Sequence, residues 1–135
     1  MKLAAAVLTL AVCIQPASAQ ESAAQAAATA AQDWLVLVDA GDYAASWTQG
    51  AAAFRSAVTQ SQWSEAMGAV RAPFGAVKSR KLVSAQPTRQ LPGAPAGEYV
   101  VIQYQTEFAA RTGTETVIPM REAGGGWKVS SYFIK

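Results

Sequence analysis

Asp39 and Asp42 are the acid–base candidates best placed by position, three residues apart where one predicted helix ends and the next begins. A carboxylate does proton-transfer work near neutral pH only if burial or a like charge raises its pKa. The plainer roles fit the spacing better: Asp42 caps the second helix and Asp39 sits at the surface near a helix end. Glu107 and Glu115 fall on neighbouring predicted strands and would face each other across a hairpin, or lie on solvent faces. No histidine occurs anywhere in the chain, which removes the commonest general base, the usual zinc ligand and every Ser–His or Cys–His pair. No catalytic residue, metal ligand set or cofactor motif emerges. Gly124–Gly126 lies between strands and opens no helix, so it presents no helix N–H groups to a phosphate.

Two binding constellations remain. Trp34, Tyr43, Trp47 and Trp63, joined by Tyr104 from a strand, form a candidate pocket for a small apolar ligand. The same residues at helical spacing also read as core. Arg71, Lys78, Arg80, Lys81 and Arg89 form a candidate basic patch, in a stretch from Ala66 to Gly97 that holds no acid. Such a patch suits an envelope polyanion. Nucleic acid is not expected, because the chain reads as exported and no aromatic residue lies between Phe74 and Tyr99. The alternative for these bases is a solvated strand guarding a sheet edge.

The elements that must position these residues follow from periodicity. Ala27, Ala30, Ala31, Trp34, Leu35 and Val38 recur at three- and four-residue steps, the stripe of a first helix, and Gly41 stops it. A second helix carries Tyr43, Ala44 and Trp47 and breaks at Gly50, and Ala51–Val58 adds a further turn or two. Thr59 and Gln62 have capping-box spacing ahead of a third helix, with Trp63, Met67 and Val70 on one stripe and Pro73 at its end. After Gly75 the period falls to two. Strands are predicted over 77–86, 98–109, 114–121 and 127–134, with Pro119 marking an edge or a bulge. Helices first, then strands joined by short loops, predict an α+β domain: about three helices packed on a four-stranded antiparallel sheet.

The N-terminus reads as a secretion signal over residues 1–19. Lys2 is the positive start, Leu3–Ile14 is apolar except for Thr9, and Ala17-Ser18-Ala19 offers small residues for cleavage between Ala19 and Gln20. The apolar run is about a dozen residues, short of the roughly 20 that span a bilayer. Cys13 follows bulky Val12 and lies inside the apolar run, which argues against a lipid anchor, and it is the one cysteine of the chain. Cleavage after Ala19 would leave a single domain over 20–135 without thiol chemistry, in the periplasm or secreted. No second apolar run predicts stable membrane insertion after the signal is removed.

Several strings resemble a known family as a set. They are Trp34-Leu35, Val38-Asp39-Ala40-Gly41-Asp42-Tyr43 with Ser46-Trp47, Phe54-Arg55, Trp63, Val70-Arg71-Ala72-Pro73, Ser79-Arg80, Leu91-Pro92-Gly93, Gly97-Glu98-Tyr99, Trp127-Lys128-Val129 and Tyr132-Phe133-Ile134-Lys135. Together they resemble the bacterial exported family of domain of unknown function 4019, over nearly all of the chain beyond the signal. The resemblance implies no established activity and carries over no catalytic residue. The helix pair followed by a curved sheet is also similar to NTF2-like, cone-shaped folds, which host enzymes and inert binding domains alike. The expectation is a non-catalytic exported module that binds a small apolar ligand or an envelope protein partner. The alternatives are a small cone-fold enzyme working through a buried carboxylate and Tyr104, and polyanion docking through residues 71–89.

Overall fold

The computed structural model describes residues 17–135. The expected signal over 1–19 therefore lies, but for its last three residues, outside the described residues, as does Cys13. Among the described residues no helix is long and apolar enough to cross a membrane. The chain is α+β, with the elements α1 (Ala17–Asp39), α2 (Tyr43–Thr48), α3 (Ala52–Ala57), α4 (Gln60–Arg71), β1 (Val77–Thr88), β2 (Tyr99–Phe108), β3 (Thr112–Arg121) and β4 (Trp127–Ile134). Among the described residues the helices thus number four where about three were expected, because Ala52–Ala57 closes enough turns to be a helix of its own.

Helix α1 is long because its first half is rich in alanine, the residue that loses least on entering a helix. Its stripe of Ala27, Ala31, Trp34, Leu35 and Val38 is buried. The helix ends where Gly41 adopts φ +76°, and the Asp42 N–H turns back to donate to the Leu37 carbonyl at 2.9 Å. Asp42 then caps α2, its Oδ1 accepting from the Ala45 N–H at 3.0 Å. Helix α4 opens on the predicted capping box, with Thr59 Oγ1 accepting from the Gln62 N–H and the Gln62 side chain accepting from the Thr59 N–H.

The strands form one antiparallel meander in the order β1-β2-β3-β4, so β1 and β4 are the edges. Register shifts interrupt β1 on either side of Arg80, and another falls at Ile118/Pro119. The extra residue there is Ser130 of β4, so Pro119 of the interior strand stands opposite a bulge, where the ladder is already interrupted. On β2, Val100, Ile102, Tyr104, Thr106 and Phe108 all turn inward and are buried, while Gln103, Gln105 and Glu107 face solvent. Helix α1 lies against all four strands and shares one core with them, built on Trp34, Leu35, Ile102, Val117 and Tyr132.

Ser46 is the polar hub of the helical layer. It is wholly buried on α2; its carbonyl accepts the Trp34 indole N–H at 2.8 Å and its Oγ accepts that of Trp63 at 2.9 Å. The Ser46 hydroxyl passes its own proton to the Tyr43 carbonyl at 2.7 Å. Trp47 donates to the Val58 carbonyl at 2.8 Å. Buried indoles need such acceptors, and these bonds tie α1, α2 and α4 together.

Candidate functional site

The periods that build the core also carry charge into it. On α4 the buried row is Trp63, Met67 and Arg71, four residues apart, so a guanidinium occupies the place of a third apolar side chain. Val70, expected on that stripe, is exposed. On β3 the alternation that buries Gly113 and Val117 also buries Glu115, which pairs directly with Tyr104 of β2 and Ile134 of β4. Arg80 of β1 stands opposite Thr106 of β2, and Tyr132 of β4 opposite Val117. Asp39 ends α1 above this face of the sheet.

These side chains converge on Glu115, whose carboxylate is fully removed from solvent. Oε1 accepts from Arg80 Nε at 2.7 Å and from Thr106 Oγ1. Oε2 accepts from Tyr132 Oη at 2.5 Å, Arg80 Nη2 at 3.1 Å and Arg71 Nη1 at 3.3 Å. Arg80 also grips Asp39 through Nη1 at 2.8 Å and Nη2 at 3.0 Å, and Arg71 Nη2 reaches Asp39 at 2.9 Å. Two cations and two anions cancel, and residues from α1, α4 and all four strands meet at one point. Asp39 sits at the negative end of its own helix, where a carboxylate is disfavoured, and the two guanidiniums offset that.

Protonation follows from these contacts. Burial pushes the Asp39 carboxyl up, but the bonds and charges of Arg80 and Arg71 outweigh it and hold the group below its ordinary value. Tyr132 is pushed well above the usual tyrosine range, first by burial and then by the negative Glu115 it donates to. Burial likewise raises Tyr104, whose Oη is buried without a hydrogen-bond partner among the described residues. A general base needs a free lone pair facing a substrate. Glu115 offers none, and Tyr132 holds its proton tightly.

The sequence-level candidates separate. Of the basic residues, Arg71 and Arg80 point inward to carboxylates, whereas Lys78, Lys81 and Arg89 are exposed. Of the aromatic set, Trp34, Trp63 and Tyr104 are core, and Tyr43 and Trp47 pack against it. The five share no cleft among four on the surface: Trp34 lines one, Tyr43 another, and Trp47, Trp63 and Tyr104 none of them. Asp39 and Arg71 line a shallow cleft of about 290 Å³ beside Gly41 and Gly68. Glu107 is exposed on β2 and does not face Glu115.

Trp127, which the sequence places at the start of the last strand and in one of the strings that resemble the family, walls two clefts. One, of about 440 Å³, lies between α1, α2 and β4 and includes Asp33, Trp34, Leu37, Gln49 and Lys128. The other, of about 430 Å³, includes Ala23, Ala24, Arg89, Glu98, Tyr99 and Arg121. The signal in the sequence is its position: Trp127 opens the last strand next to a glycine-rich hairpin, where a large ring is only half covered.

No curated protein and no solved structure matches the chain. One family does, over residues 30–132, a span that holds Asp39, Arg71, Arg80, Glu115 and Tyr132, and the chain belongs to it: the family described as Protein of unknown function (DUF4019).

Proposed function

We propose that the chain is an exported module, periplasmic or secreted, that binds a small apolar ligand or an envelope protein partner and performs no chemistry of its own. One observation carries this reading. The buried carboxylates and the tyrosine that meet around Glu115, namely Asp39, Glu115 and Tyr132, are consumed by one another and by Arg71 and Arg80, whereas Trp127 stands half-buried between two open clefts. Both clefts fall within the range of about 300–1,000 Å³ typical of small-molecule sites. The helices-then-meander order supports an NTF2-like, cone-shaped architecture for the module.

The test is purification from the native host followed by native mass spectrometry, with thermal unfolding measured against a metabolite library. A co-purifying or stabilising small molecule is the expected result. A ligand-free protein that no compound stabilises would overturn the small-molecule form of the proposal and leave the protein partner.

For the cone-fold enzyme, the tyrosine bonded to the buried carboxylate Glu115 is Tyr132, at 2.5 Å, and not the expected Tyr104. The enzyme is the weaker reading, because none of the four surface clefts is lined by Tyr132, Glu115 or Tyr104. Polyanion docking retains Lys78, Lys81 and Arg89, without Arg71 and Arg80.

A further inference from the structure

The geometry points to the cleft between Trp127, Arg89 and Arg121 as a binding site for a small amphipathic carboxylate. This rests on the reading that the module binds a small molecule, and adds the place and the ligand class.

Three observations meet there. The first is charge. Arg89 Nη2 lies 3.6 Å and Arg121 Nη1 3.4 Å from the same carboxylate, Glu98, so two guanidiniums share one anion. Both distances exceed the 2.7–2.9 Å of a well-formed charge-assisted bond, and the Arg89 side chain is 82% exposed and that of Arg121 45%. Exposed pairs of this kind are weak, so a competing anion displaces them readily. The cleft therefore keeps a net positive charge with donors to spare.

The second is the indole of Trp127. The indole N–H groups of Trp34, Trp47 and Trp63 are each bonded to an acceptor of the protein. Trp127 has no such partner among the described residues, although β-pairing sets it directly opposite Arg121. Trp127 and Arg121 are thus cross-strand neighbours, and both line the cleft.

The third is the floor. Ala23 and Ala24 of α1, Pro87, Tyr99 and Val100 give the cleft an apolar base. A carboxylate head would sit between Arg89 and Arg121, its body on the Trp127 ring and the alanines. Glu98 would oppose it and so set the affinity.

The test follows the indole resonances in ¹H–¹⁵N spectra during titration with sodium octanoate, with octan-1-ol as the neutral control. Trp127 is assigned by its loss in Trp127→Phe. Octanoate should move the Trp127 resonance saturably and bind more weakly at high salt. The Arg89→Ala/Arg121→Ala double variant should bind about tenfold more weakly or worse, since it leaves Glu98 alone at the cleft and turns the local charge from positive to negative. Glu98→Gln should bind more tightly. Equal affinity in the double variant, or octanol binding as well as octanoate, would overturn the carboxylate site. Saturable binding that moves Trp34 and spares Trp127 would also overturn it while leaving the binding function standing. No saturable binding of either probe, in a chain that the metabolite library does stabilise, would overturn the ligand class alone.

Discussion

The Tyr132 hydroxyl donates to Glu115 Oε2 at 2.5 Å while accepting from Arg71 Nη1 at 3.0 Å, and so joins the last strand to the last helix through a buried carboxylate. Removing the hydroxyl takes one bond from each charge and leaves both buried. Tyr132→Phe should therefore fold but lose about 2 kcal/mol in urea unfolding, within the range for bonds to charged groups. A loss below about 0.5 kcal/mol would mean that the cluster closes without Tyr132.

The same tyrosine fixes an alkaline limit. Its folded pKa is raised, so the native state keeps the proton at a pH where the unfolded chain releases it. The stabilisation is intact below the ordinary tyrosine value of about 10 and is lost as pH rises above it towards the folded value. Unfolding free energy should fall above about pH 10, and less steeply in Tyr132→Phe. Equal slopes in the two proteins would place the alkaline sensitivity elsewhere.

Asp39 sets the acid side. Its folded pKa is depressed, so its contribution is complete above the unfolded value of about 4 and is lost as pH falls through the folded one. Wild-type stability should decline below about pH 4, and Asp39→Asn should flatten that decline. An unaltered acid limb in the variant would show that the Arg71 and Arg80 contacts do not couple to protonation.

The sequence made the scaffold readable because hydrophobic period, caps and breakers agree. The Thr59/Gln62 box, the Asp42 cap, the Gly41 stop and the final strand Trp127–Ile134 all stand where expected. The charged cluster was less legible for a physical reason. Arg71, Arg80 and Glu115 lie on inward-facing positions, but a charged residue in such a register reads as solvent-facing until its partners are known. Those partners come from six elements, and only the tertiary fold brings them together. The fourth-residue row Trp63-Met67-Arg71 and the alternation Gly113-Glu115-Val117 were the available signals. For the cleft at Trp127 the one signal was the position of that residue beside the glycine-rich hairpin; its other walls come from α1, β1, β2 and β3, and only the fold joins them.

Burial should separate the two kinds of ion pair in double-mutant cycles. Arg80 and Glu115 meet at 2.7 Å out of solvent, and Arg121 and Glu98 meet at 3.4 Å in it. Coupling in the first pair should exceed about 2 kcal/mol, and in the second stay below about 1 kcal/mol. Comparable couplings would contradict a closed interior cluster.

Ser46→Ala leaves the Trp63 indole N–H buried without its acceptor, while Trp34 keeps the backbone carbonyl. Unfolding free energy should drop by about 1–3 kcal/mol, and the Trp63 indole proton should exchange faster with solvent than that of Trp34. Exchange quickened equally at both would show that α2 itself has shifted.

The most direct test of the Glu115 cluster as a brace between helices and sheet is the urea midpoint of Glu115→Gln. Neutralising the carboxylate leaves two buried guanidiniums with Asp39 as their one anion, and breaking a buried pair in this way costs about 3–5 kcal/mol. A midpoint far below wild type, or failure to fold, is the predicted result. A midpoint equal to or above wild type would contradict the account, because a carboxylate kept for chemistry at the expense of stability raises stability when neutralised.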